Sequence, residues 1–176
     1  MAITEINVRT IGVWWYGPLV GPFTASKMKQ LVEDEIERDA EDLCGLYQIY
    51  GNHPVFGRKS LLYIGQSWEQ SLYERVIQHW FVKDEDFHEI EIYIGLLGGV
   101  KDSQPSRQDY WKKLIDIAEM LLICAHKPPF NRKHIEDVNN ICKRHRVFNY
   151  GQRADVLMEV SYERMSEEFD DWEDWE

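Results

Sequence analysis

"GLYQIYGNHPVFGRKSLLYIGQSWEQSLYERVIQH", residues 45–79, decides how the rest of the chain is read. Two runs rich in Leu, Ile and Tyr flank a segment punctuated by Asn, Pro and Gly, which is the signature of paired strands. Residues 43–66 are therefore expected to form a β-hairpin with a long connection, "NHPVFG". The pairing would set a phenol on each strand, Tyr47 in Gly45–Leu46–Tyr47 and Tyr63 in Tyr63–Ile64–Gly65. Two phenols on one face could flank a common point, although strand propensity alone also favours tyrosine. The following stretch places Leu72, Val76, Ile77 and Trp80 at helical spacing, predicting a helix over 68–81. Arg75 and His79 are four apart and share a face with Trp68 and Leu72. They are either rim residues of an amphipathic helix or the lining of a site at the sheet's edge.

Outward from this stretch, "HEIEIYIGLLGG" alternates over Ile90, Ile92 and Ile94, as a third strand does. Residues 107–127 read as a helix ended by Pro128 and Pro129. Within it, Glu119 sits in "LIDIAEMLLICA", almost free of charge. Desolvating a lone carboxylate is costly, so Glu119 needs a compensating charge, either a core arginine or a divalent metal. Residues 11–23 suggest a strand and turn, and Thr24 or Ser26 could cap a helix through about Asp39. A short helix is expected in "HIEDVNNICKRH" and a last strand in "ADVLMEVSYE". The central order of strand, strand, helix, strand, helix predicts an α/β fold of the α+β type. It would be a small three-stranded antiparallel sheet flanked by helices.

The composition is that of a folded domain, with 44% hydrophobic residues and seven tryptophans. Neither an apolar run long enough for a bilayer nor a signal-peptide pattern occurs, so the expected location is cytoplasmic, without a membrane. Cys44, Cys124 and Cys142 form no CxxC pair, and are expected to be buried thiols. Trp14 and Trp15 are expected in the core or an interface rather than as base-stacking residues.

The net charge of −11 argues against a nucleic-acid partner until its distribution is seen. Residues 1–42 carry −4 and 159–176 carry −8, whereas 43–158 are close to neutral at +1. "NRKH" at 131–134 and "CKRHRVFNYGQR" at 142–153 concentrate six Lys and Arg with no acid. The middle of the chain remains open to an anionic substrate.

These landmarks together resemble the GIY-YIG nuclease family. Gly45–Leu46–Tyr47 stands for the first motif, with Leu for the usual Ile, and Tyr63–Ile64–Gly65 matches the second. Arg75 with His79, Glu119 on a long helix, and Asn131 after a proline follow in the family's order. The resemblance covers about 43–132. It divides the chain into an N-terminal extension (1–42), a nuclease-like core (43–132), a helical and strand extension (133–165) and an acidic tail (166–176). The connection between the motifs is longer than in compact members, and two extra residues precede Arg75. Gln66 stands where many members carry lysine, a charge that Arg58 or Lys59 could supply.

The resemblance implies metal-dependent hydrolysis of DNA phosphodiesters by Tyr47, Tyr63, Arg75, His79, Glu119 and Asn131. Glu119 would hold one Mg²⁺ or Mn²⁺. Tyr47 would orient and help deprotonate the attacking water, and Arg75 would clamp the phosphate. His79 and Tyr63 would hydrogen-bond the nucleophile or phosphate, and Asn131 would tie down the helix end. Arg58, Lys59, Arg132, Lys133, Lys143, Arg144 and Arg146 are candidate DNA contacts. The role, whether restriction, mobile element, defence or repair, is left open, as is a homodimer. The alternative is a catalytically weak or inactive relative acting as a protein-interaction module through its acidic extensions. The tail, "SEEFDDWEDWE", spaces Phe169, Trp172 and Trp175 among seven acids. It suggests docking on a basic partner protein or on this chain's own basic surface.

Overall fold

The computed structural model describes residues 8–21, 23–79, 82, 89–98, 105–136 and 139–165. The acidic tail at 166–176 lies outside the described residues. In chain order the elements are β1 (Arg9–Val20), α1 (Ala25–Ile36), β2 (Gly45–His53), β3 (Gly57–Ser67), α2 (Leu72–Val76), β4 (Glu91–Leu97), α3 (Pro105–His126), a 3₁₀ turn (Cys142–Arg144), β5 (His145–Gly151), β6 (Glu159–Ser161) and α4 (Tyr162–Met165). The α/β class stands, but the sheet has six strands rather than three, in the order β3-β2-β4-β1-β5-β6. All pairs are antiparallel except β1 with β5.

The three extra strands follow from an edge that β4 would otherwise leave open. β1 alternates Ile11, Val13 and Trp15 into the core and pairs with β4 from Val13–Leu97 to Val20–Glu91. That apolar face is then covered by α3, whose Leu114, Ile117 and Leu121 share its cluster. Gly95 leaves room for the Trp15 ring, since a Cβ there would lie 2.7 Å from it. Buried Trp15 donates its Nε1–H to Asn149 Oδ1 on β5 at 2.8 Å. The N-terminal and 133–165 extensions thus contribute strands to the same sheet as the hairpin.

Each face of the sheet is covered over part of its width. α3 packs on one face against Leu46, Ile64, Val13 and Val147. α1 and α2 pack on the other against Tyr47, Ile49, Ile92 and Ile94. Thr24 caps α1, accepting the Lys27 N–H at 3.3 Å, and Glu37 ends it in the left-handed region.

Several sequence expectations are corrected. The β2–β3 connection is short: His53 pairs with Gly57, and His53 Nδ1 accepts from the N–H groups of Val55 and Phe56. The strands simply run on through the polar residues. Of the expected helix over 68–81, the described residues are helical only at Leu72–Val76, which form α2. Ser67 Oγ donates to the carbonyls of Gln70 and Ser71, turning the chain before the helix starts. Ser71 then donates to Glu74 Oε2 at 2.9 Å in the first turn. In 134–144 the described residues hold only the 3₁₀ turn, and His145 already begins β5. Residues 145–151, read only as a basic stretch, are β5. Trp14 is 52% exposed and stacks on Tyr150 at 5.5 Å. Cys142 is buried, and Cys44 and Cys124 only partly so. No helix among the described residues is long and apolar enough to cross a membrane.

Candidate active site

β3 is an edge strand, and an unpaired edge must be covered or blunted. Here the chain leaving α3 covers it. Phe130 N–H donates to the Leu62 carbonyl at 3.1 Å. Asn131 Oδ1 accepts the Ile64 N–H at 3.0 Å, and its Nδ2 donates to the Ile64 carbonyl at 2.8 Å. The Asn131 amide therefore acts as a one-residue strand, satisfying both edge groups of Ile64. This contact brings the end of α3 against the middle of the hairpin. Beside it opens a cleft of about 670 Å³ lined by Tyr63, Gln66, Arg75, Asp116, Glu119 and Asn131, among others.

The pairing that sets both phenols on one face is Tyr47 with Gly65 and Ile49 with Tyr63. The rings stack with centroids 6.0 Å apart. Gly65 is required for this: a Cβ at that position would strike the Tyr47 phenol and the Tyr63 ring. Two residues of β3, Leu62 and Tyr63, oppose Ile49 at a bulge, and both turn to the α2 side. Bulges re-aim side chains in this way.

Tyr47 is fully buried behind the cleft, and its oxygen lies 2.7 Å from His79 Nε2. The His79 ring also lies 4.4 Å from that of Tyr63. Burial pushes the Tyr47 phenol far above its ordinary value, with the neighbouring Tyr63 adding to this and Arg75 opposing it. Burial, then the Arg75 charge, lowers His79 to about 4. At neutral pH the phenol is protonated and the imidazole neutral, so the Tyr47 O–H donates to Nε2. Burial raises Tyr63 as well, Glu119 adding to the rise and Arg75 countering it.

Glu119 and Asp116 stand one turn apart on α3. Burial raises the Glu119 carboxyl to about 7; the Asp116 charge adds to this, while Arg75 and hydrogen bonds from Gln66 oppose it. Gln66 also donates to Asp116 Oδ1 at 2.6 Å, so it occupies the polar ground between the carboxylates without bringing a charge. The donor set suits a hard divalent cation: two carboxylates face one polar cleft, and one is too poorly compensated to ionise fully. No group of three His, Cys, Asp or Glu ligands occurs among the described residues. Water would complete the shell, as Mg²⁺ prefers.

The raised Glu119 value has a stability consequence. A carboxyl whose folded pKa lies above its unfolded one stabilises the fold at low pH, and that contribution is lost as pH rises from about 4.5 to about 7. In metal-free buffer, Glu119→Gln is expected to match wild type near pH 5. By pH 8 it should be the more stable by about 1–3 kcal/mol. Urea unfolding at both values checks this; a constant difference between the proteins would show that Glu119 ionises freely in the cleft.

Four of the six sequence-derived site residues, Tyr63, Arg75, Glu119 and Asn131, line the cleft, and Tyr47 and His79 lie directly behind it. Of the candidate DNA contacts, Arg132 and Lys133 line its rim. Arg58 and Lys59 pair with Glu89 at 2.9 Å and Glu91 at 2.6 Å, and neither lines the cleft beside Gln66. Lys143 lies over the Tyr162 ring. Arg146 lies over Phe148 and donates to Thr10. Arg144 lines a different pocket. Asp116 and His134 are cleft residues that the sequence did not single out. The i,i+3 spacing of Asp116 from Glu119 was the available signal. Comparison with protein-family models, curated proteins and solved structures finds no match.

Proposed function

We propose that this chain is a metal-dependent DNA endonuclease of the GIY-YIG type. The observation that supports the reading is convergence. Tyr47, Tyr63, Arg75, His79, Glu119 and Asn131, spread over 85 positions of the sequence, gather at one polar cleft on the edge of β3. A buried polar cluster of this kind is costly to maintain for structure alone, and perturbed groups in a cleft mark candidate functional sites.

Glu119, with Asp116 beside it, would hold Mg²⁺ or Mn²⁺, which when bound supplies Lewis-acid stabilisation of the scissile phosphate and the leaving oxygen. Arg75 donates to a phosphate oxygen and offsets its developing charge. The Tyr47 phenol is too well protonated to serve as a base unaided. Its hydrogen bond to neutral His79 fixes the phenol, and with His79 lowered to about 4 the pair would orient the attacking water more than take its proton. Tyr63 completes the wall against which the nucleophile is held, and Arg132 and Lys133 attract the phosphate backbone.

The test is nicking of supercoiled plasmid in Mg²⁺ or Mn²⁺, with metal-free buffer as the control. Metal-dependent conversion to open-circle DNA is expected, and its absence would favour the interaction-module alternative. Tyr47→Phe should lower kcat by about a hundredfold or more with little change in DNA affinity, since Tyr47 is buried behind the cleft. Equal losses of affinity and turnover would make it a contact residue instead.

A further inference from the structure

A second pocket, of about 430 Å³, opens on another face of α3. Three cations from separate elements rim it: Arg9 at the start of β1, Lys113 on α3 and Arg144 on the 3₁₀ turn. Among the described residues none of the three has an ion pair, and no Asp or Glu lines the pocket. Its floor is apolar, made by Leu114, Ile117 and Ile141. In a chain of net charge −11, an acid-free cationic rim over an apolar floor calls for an occupant that is both anionic and apolar.

We propose that residues 166–176 of this same chain dock there. Their composition matches both parts of the pocket, with seven acids for the rim and Phe169, Trp172 and Trp175 for the floor. Their point of attachment matches too. α4 ends at Met165, which packs with Tyr162 on the core beneath α3 and the 3₁₀ turn that carries Arg144. Eleven residues reach up to about 36 Å when extended, ample for a neighbouring pocket. Tethering holds the acids at an effective concentration in the millimolar range, so modest pairings suffice. This inference is independent of the nuclease reading, because the pocket shares no lining residue with the cleft.

The test is zero-length carbodiimide cross-linking of the full chain at low ionic strength, followed by peptide mass spectrometry. Isotope-labelled and unlabelled protein are mixed in equal amounts. Lys113 is expected to join carboxylates of 167–176 within one copy, at least about tenfold more often than Lys112, Lys127 or Lys133 does. Lys112, 3.6 Å from Glu69, gives an internal link that reports the fold. In the double variant Arg9→Glu/Arg144→Glu, Lys113 links should fall about tenfold while the Lys112–Glu69 link persists. If that internal link is also lost, the variant has misfolded and the wild-type result decides alone. The proposal is overturned if tail links spread evenly over the lysines, if Lys113 forms none, or if its links join two copies of the chain.

Discussion

Glu119→Gln is expected to lower DNA cleavage by at least about a thousandfold, the several kcal/mol that one metal-bound charge contributes to such a transition state. The substitution keeps the side chain's volume and its capacity to accept from Gln66, but never carries a full negative charge. Its effect on the fold runs the other way, since burial already pushes this carboxyl toward the neutral form. A protein that is as stable as wild type, or more so, yet does not cut would separate chemistry from folding in one variant. Initial nicking rates at saturating Mg²⁺ measure it. A rate within about tenfold of wild type would sink the assignment of Glu119 as metal ligand and point to Asp116.

The largest expected effect on stability belongs to Asn131. Its amide satisfies both backbone groups of Ile64 from a position 67 residues away, and it is itself buried. Asn131→Ala would strand a buried donor and a buried acceptor, each worth about 1–3 kcal/mol, so a loss of about 2–5 kcal/mol is expected. The urea midpoint should fall with little change in slope. A loss below about 0.5 kcal/mol would mean that water replaces the amide and that the edge of β3 is not sealed by this side chain.

Much of this site could be read from the sequence because its landmarks lie on elements with strong local signals. The hairpin alternates, α3 is a long apolar helix, and Arg75 and His79 are one turn apart whether α2 is long or short. What escaped depends on distant partners. In β5 the inward positions His145, Val147 and Asn149 include a single aliphatic side chain, and the outward ones, Arg146, Phe148 and Tyr150, are mostly aromatic, so no apolar–polar alternation is visible in the sequence. Its strand state is imposed by pairing with β1. Trp14 and Trp15 look alike in sequence, yet on the face of β1 that carries Trp14 the cover of α1 reaches only Tyr16 and Leu19. The helix expected at 134–145 had the composition but only a 3₁₀ turn in its described part, where His145 Nδ1 is bound to the Ile141 carbonyl at 2.7 Å.

The central place of β1 bears on how the molecule is assembled during synthesis. Of the six described strands, β1 is made first and waits longest, because Val13 must find Leu97 and Arg9 must find His145. The β2–β3 hairpin can form from local contacts alone, but β1 cannot join the sheet until β4 has emerged, and its other edge stays open until β5 follows. Contacts so remote in sequence make folding slow. In the interval the apolar face of β1, Trp15 included, is open to whatever else is near. A chaperone, or an early association of β1 with β4, would therefore matter more to the yield of this protein than any property of the cleft.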